Sequence, residues 1–148
     1  MPATSWCASS TGATPLPIEA HGARLLIAED EESLLALVAR ALMEAGHDVV
    51  VSADGAEAIE TLQREGGRFD LLLTDIKMPV MDGIALALAT ARDFPGLPVM
   101  LMTGYADQRE RAHGLDALIH DVITKPFSLG TMRTAVEGAL GAQPGRTN

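Results

Sequence analysis

Asp70-Leu71-Leu72-Leu73-Thr74-Asp75-Ile76-Lys77-Met78-Pro79-Val80-Met81-Asp82-Gly83 is the stretch that decides the fold. The aliphatic run from Asp70 to Thr74 is too short for a helix and has no polar face, which marks a strand buried on both sides. Pro79 and Gly83 then hold the backbone away from the strand direction and leave the Asp75 carboxylate free at the strand end. Asp82 is placed to cap a helix from about Gly83 to Asp93. A buried strand that runs through an acidic loop into a helix is the first half of a parallel crossover.

The same unit recurs on either side. Leu25-Leu26-Ile27-Ala28 precedes a helix with Leu34, Leu37, Val38, Ala41, Leu42 and Ala45 on one face, ended by Gly46. Asp48 to Ser52 precedes Asp54-Gly55-Ala56-Glu57, a capping-box pattern that opens a helix to about Arg64 before Gly66-Gly67 stops it. Beyond Pro95, Gly96 and Pro98 come the strand Val99-Met100-Leu101-Met102 and a polar helix, Asp107 to His113. Asp121 to Thr124 is a fifth strand, and Ser128 caps a last helix bearing Leu129, Met132, Val136, Ala139 and Leu140. Hairpin turns are missing between the strands, so they pair in parallel. The expected fold is α/β, a doubly wound five-stranded parallel sheet with five helices.

Composition narrows the function classes. Twenty acidic residues against eleven basic ones give the 148-residue chain a net charge of -9, which disfavours nucleic acid and anionic lipid as partners. No apolar run approaches the roughly 20 residues that cross a bilayer. Aromatics are 3% of the chain, too few for a base-stacking platform. Cys7 has no intrachain partner, which excludes an internal disulfide and fits a reducing, cytoplasmic location. Residues 1–23 hold eleven Pro, Gly, Ser or Thr and no hydrophobic period, the composition of a disordered tail without the features of a secretory signal. Residues 24–140 form the expected domain, residues 141–148 a polar tail, and no output domain is expected in the chain.

In an open parallel sheet, ligands bind outside the carboxyl ends of the strands. Glu29 and Asp30 stand there after strand one, Asp75 after strand three, Thr103 after strand four and Lys125 after strand five. Three carboxylates together repel unless a cation compensates, and hard oxygen donors of this kind suit Mg²⁺. A blander reading has Glu29 and Asp30 serve only the first helix and its dipole. The chain has nine arginines but only two lysines, Lys77 and Lys125, and a compact ammonium suits a carboxylate or phosphate partner. A carboxylate beside Mg²⁺ can attack phosphorus and form an aspartyl-phosphate.

These residues resemble the receiver domain of bacterial two-component response regulators over residues 24 to about 140. The resemblance rests on Leu26-Ile27-Ala28-Glu29-Asp30-Glu31, on Asp70 to Pro79 with Asp82-Gly83, on Thr103-Gly104 and on Thr124-Lys125-Pro126-Phe127. It implies a flavodoxin-like strand order of 2-1-3-4-5. It also implies that Asp75 accepts a phosphoryl group from a histidine kinase or histidine phosphotransfer protein. Asp30, Asp75 and the Lys77 carbonyl would ligate Mg²⁺, Glu29 would act through water, and Lys125 and Thr103 would bind the phosphoryl group. The Lys125-Pro126 bond is expected to be cis. A downstream protein would bind the face of the Asp107–His113 helix, the fifth strand and the last helix. The chain departs from the pattern in having Glu29 where Asp is commoner, and Val122 where a Tyr or Phe switch residue is usual. Tyr105 is a candidate substitute.

The expected function is thus a stand-alone phosphoacceptor switch with no turnover enzyme activity. A constitutive interaction module and a phosphate sink are the alternatives. A haloacid-dehalogenase-type phosphatase would need an Asp-x-Asp pair where Ala28-Glu29-Asp30-Glu31 stands, and a flavin module would not place an acidic loop at its phosphate site.

Overall fold

The computed structural model describes residues 22–104 and 119–141. Five strands form one sheet: β1 (Arg24–Ala28), β2 (Asp48–Ser52), β3 (Leu71–Asp75), β4 (Val99–Thr103) and β5 (Asp121–Thr124). Between and after them run α1 (Glu32–Glu44), α2 (Gly55–Glu65), α3 (Gly83–Asp93) and α4 (Leu129–Gly141). Every pairing is parallel and the order is β2-β1-β3-β4-β5, the expected 2-1-3-4-5. Four helices lie among the described residues against the five expected, and the Asp107–His113 segment falls outside them.

Alternation along the strands builds two cores. Leu25, Ile27, Leu71, Leu73, Met100, Met102 and Ile123 face α1 and α4, where they meet Val38, Leu42, Met132 and Val136. Leu26, Ala28, Leu72, Val99 and Leu101 face the other way, onto Ala58 and Leu62 of α2 and Leu86 and Ala87 of α3. Covering both faces removes nearly every side chain of the inner strands β1, β3 and β4 from water, which is why these strands read as unbroken apolar runs, while the edge strands β2 and β5 keep Val51 and Asp121 exposed.

The helix boundaries follow local chemistry. Asp54 and Asp82 cap α2 and α3, accepting the Glu57 and Ala85 N–H groups at 2.8 Å, and the Ser128 hydroxyl accepts the Thr131 N–H at 3.0 Å. Gly66 ends α2 at φ 68°, a left-handed turn that glycine adopts without penalty. At the opposite edge from the strand ends, Arg24 joins several elements. Its backbone N–H donates to Asp70 at 2.8 Å, its guanidinium meets Asp48 at 3.3 Å and Glu65 at 3.1 Å, and it lies 4.6 Å from the Phe69 ring centre. His47, buried in the turn after α1, places Nε2 at 2.7 Å from Glu137 of α4.

Two glycines show opposite consequences of one methyl group. A Cβ at Gly83 would stand 2.0 Å from the backbone oxygen of Asp75, whereas one at Gly138 would meet nothing within 4 Å among the described residues. Gly83→Ala is expected to cost at least about 3 kcal/mol, because backbone must move to admit the methyl. Gly138→Ala should stabilise by about 0.5–1 kcal/mol through helix propensity alone. Urea unfolding midpoints that move in the same direction for both variants would refute this packing.

Candidate phosphoryl and metal site

Each expected site residue with a described position lies at the carboxyl edge of the sheet. β1 delivers Glu29 and Asp30, β3 ends on Asp75, β4 ends on Thr103, and Lys125 follows β5 directly. The backbone ties the far strands together, since the Lys125 N–H donates to the Thr103 carbonyl at 2.7 Å. A cleft of about 630 Å³ opens over this edge, bordered by the three acids, Lys77, Lys125 and Phe127.

Burial sorts the charges. Glu29 and Asp75 are 2% and 5% exposed, Thr103 is fully buried, and Asp30 and Lys77 face solvent. Each of Glu29, Asp30 and Asp75 offers one oxygen, and these oxygens lie within 4.8 Å of one another. Lys125 Nζ stands 3.0 Å from Glu29 Oε1 and 3.2 Å from Asp75 Oδ2, so one ammonium serves two buried carboxylates. The Ile76 N–H donates to Asp75 Oδ1 at 2.9 Å, and the Glu31 N–H to Glu29 Oε2 at 3.0 Å. Glu29 therefore does support the start of α1, as the blander reading has it, but its other oxygen is committed to a lysine 96 positions away.

Burial pushes the Asp75 carboxyl above the usual carboxylate range; Lys125 opposes this and Asp30 adds to it. Glu29 is raised for the same first reason, against the pull of the Glu31 N–H and with the repulsion of Asp75. Burial alone would lower Lys125, but the hydrogen bond to Glu29 and the charges of Asp75 and Glu29 outweigh it and raise the ammonium. The three carboxylates thus carry more negative charge than Lys125 alone can balance.

The loop after Asp75 is tightly bound to its surroundings. The Gly83 N–H donates to the Ile76 carbonyl at 2.8 Å, and the Gly55 N–H of α2 donates to the Met81 carbonyl at 3.1 Å. A Cβ at Gly55 would come 2.4 Å from that Met81 oxygen, so α2 and the loop touch through backbone. Between them Val80 sits at φ 68° in a γ-turn closed by the Met81 N–H on the Pro79 carbonyl at 2.7 Å. Its side chain is 83% exposed. Neither the Gly55 contact nor the Val80 turn is visible in a sequence period. The only available signal was the Pro-x-Met-Asp-Gly run, which marks a loop without giving its dihedral angles.

The Lys125–Pro126 bond is cis. Val122 is half-buried against the α2–α3 core, and Tyr105 lies outside the described residues.

Residues 25–137 match the family described as response regulator receiver domain. The chain is 38% identical over 108 residues to the transcriptional regulatory protein TcrA of Mycobacterium tuberculosis, covering 73% of this chain and 42% of TcrA. It thus spans less than half the length of that relative. It is also 38% identical over 117 residues to the response regulator receiver protein CpdR of Brucella abortus, covering 79% of this chain and 96% of CpdR. Among solved structures, the chemotaxis response regulator CheY4 of Vibrio cholerae superposes with a TM-score of 0.72 at 28% identity, over 80% of this chain and 98% of that one. A CheY-like receiver domain protein from Methanospirillum hungatei gives 0.74 at 28% identity, over 82% and 95%. With the strand order, the acidic strand ends and the family match in agreement, the chain belongs to the receiver domains of two-component response regulators.

Proposed function

We propose that this chain is a stand-alone phosphoacceptor switch whose Asp75 takes a phosphoryl group from a phosphohistidine on a histidine kinase or phosphotransfer protein. The observation that carries the proposal is the Lys125 ammonium 3.2 Å from a buried Asp75 carboxylate at the strand edge. An Asp75 oxygen attacks phosphorus, the phosphorus–nitrogen bond breaks, and the imidazole leaves with the bonding electron pair. Lys125 faces the charge that develops on the phosphoryl oxygens, and buried Thr103, at the end of the adjacent strand, is the hydroxyl assigned to one of them. Water later hydrolyses the acyl phosphate, so the only turnover is removal of the chain's own modification.

The donor set fits Mg²⁺: three hard carboxylates within 4.8 Å, one of them exposed, with the Lys125 ammonium against the two buried ones. Asp30, Asp75 and the Lys77 carbonyl would hold the ion. When bound, it would screen the charge on the reacting oxygens. Coverage of 96% of CpdR supports the stand-alone reading. A cytoplasmic location is in keeping with both, and no helix among the described residues is long and apolar enough to cross a membrane.

The downstream surface is assigned to the face of β5 and α4. A second reading, a constitutive interaction module, draws on Val122, whose small half-buried side chain stands where a switching aromatic is usual.

Incubation with acetyl phosphate and Mg²⁺ should give a phosphoryl adduct that is absent from Asp75→Ala. Labelling that survives this substitution would overturn the assignment. Beryllofluoride that leaves partner binding unchanged would favour the constitutive module.

The charge balance gives a pH-dependent outcome. A carboxyl with a higher pKa in the folded state holds its proton longer there, so metal-free stability falls as pH rises from the ordinary carboxylate range through the raised values of Asp75 and Glu29. Below that range the penalty is gone. Without divalent cations, Asp75→Asn should therefore raise the urea midpoint at neutral pH, and the gain should shrink as pH falls into the ordinary carboxylate range. Destabilisation at neutral pH would contradict the stated electrostatics.

A further inference from the structure

The carboxylate nearest the site's ammonium is Glu29, not the phosphoacceptor. Glu29 Oε1 lies 3.0 Å from Lys125 Nζ, against 3.2 Å for Asp75 Oδ2. Its second oxygen is held by the Glu31 N–H at 3.0 Å, and its side chain is 1% exposed. Both oxygens are thus engaged by protein donors, and little solvent reaches them. Asp30, the neighbouring acid, faces water instead.

Side-chain length explains the arrangement. An aspartate at position 29 would end one methylene sooner, with its carboxylate drawn back towards β1 and away from a lysine that enters from beyond β5. Two strands, β3 and β4, separate these two elements in the order β1-β3-β4-β5, so the contact closes the cleft from side to side.

We propose that Glu29 is the positioning residue of Lys125: it holds the ammonium at the site before any phosphoryl group arrives, and it keeps that contact when Mg²⁺ is bound. This assigns Glu29 to the lysine, where the family resemblance assigns that position to the metal through water. A flexible four-carbon stem loses much rotational freedom when fixed, and a charge-assisted hydrogen bond from a buried carboxylate supplies the compensation. The benefit to the protein rests on the phosphoacceptor role proposed for Asp75, but the contact itself exists without any phosphodonor.

The two lysines of the chain make the test direct. In protein isotopically labelled at lysine Nζ, two resonances are expected, assigned by Lys77→Arg. Proton exchange at Lys125 Nζ should be slowed, and should remain slowed when Mg²⁺ is added. Glu29→Asp should speed that exchange about tenfold or more, the equivalent of one charge-assisted hydrogen bond, while the Lys77 signal stays as it was. Unchanged exchange in Glu29→Asp would overturn the proposal. So would loss of protection in the natural protein on adding Mg²⁺, which would place Glu29 with the metal. If Glu29→Asp does not fold, Glu29→Gln decides, because it keeps the length and loses the charge: faster Lys125 exchange supports the proposal and unchanged exchange refutes it. No phosphodonor is present in these measurements. A chain that fails to accept phosphoryl groups would therefore fail separately, in the acetyl phosphate assay.

Discussion

One ammonium set against two buried carboxylates, with a third at the rim, is the interaction around which this molecule is arranged. Such a group is unfavourable in any apolar interior, because burial penalises each charge and like charges add to the penalty. It is tolerable here because the parallel sheet stops just below it, placing the charges where a cleft admits water and ions. The aliphatic interior and the charged edge are complementary parts of one design. Strands that bury both faces give stability without polar groups, and the strand ends can then concentrate charge that the core could not hold.

Most of the architecture could be read locally. β2, α3 and β5 span the expected residues, and Asp54, Asp82 and Ser128 cap the helices they precede. β3 is displaced by one residue, so that Asp75 belongs to the strand itself and not to the loop after it. A one-residue difference matters because strand residues alternate in direction, and Asp75 gains its fixed aim from the last rung of the sheet. The N-cap of α1 differs in kind: Glu31 occupies it without a side-chain cap bond, and Glu29 instead accepts the Glu31 N–H.

The site was legible as a set of strand-end residues but not as a set of bonds. Which residues stand at the carboxyl edge follows from the order of strands and loops. Whether Lys125 prefers Glu29 or Asp75 depends on the reach of two side chains 96 positions apart, and no periodicity carries that. The backbone contact of Gly55 with Met81 and the left-handed Val80 are hidden for a similar reason, since each is imposed by packing between elements. Val80 also runs against local preference, as a β-branched residue at positive φ is strained. The surrounding backbone bonds hold the loop beside Asp75 in this conformation.

The Arg24 network gives the molecule a second charged region with a different character. It lies at the amino edge and joins β1 to Asp48 of β2, Glu65 of α2 and Asp70 before β3. The five residues of β1 place it about 13 Å from the carboxyl edge, beyond the roughly 8–10 Å over which salt water lets surface charges act on one another. The exposed charges at the two ends of the sheet are therefore largely screened from one another. Substitutions around Asp48 or Glu65 can alter the surface potential of one pole with little effect on the exposed charges of the other, so the acidity of the molecule as a whole can drift largely independently of the charges at the carboxyl edge.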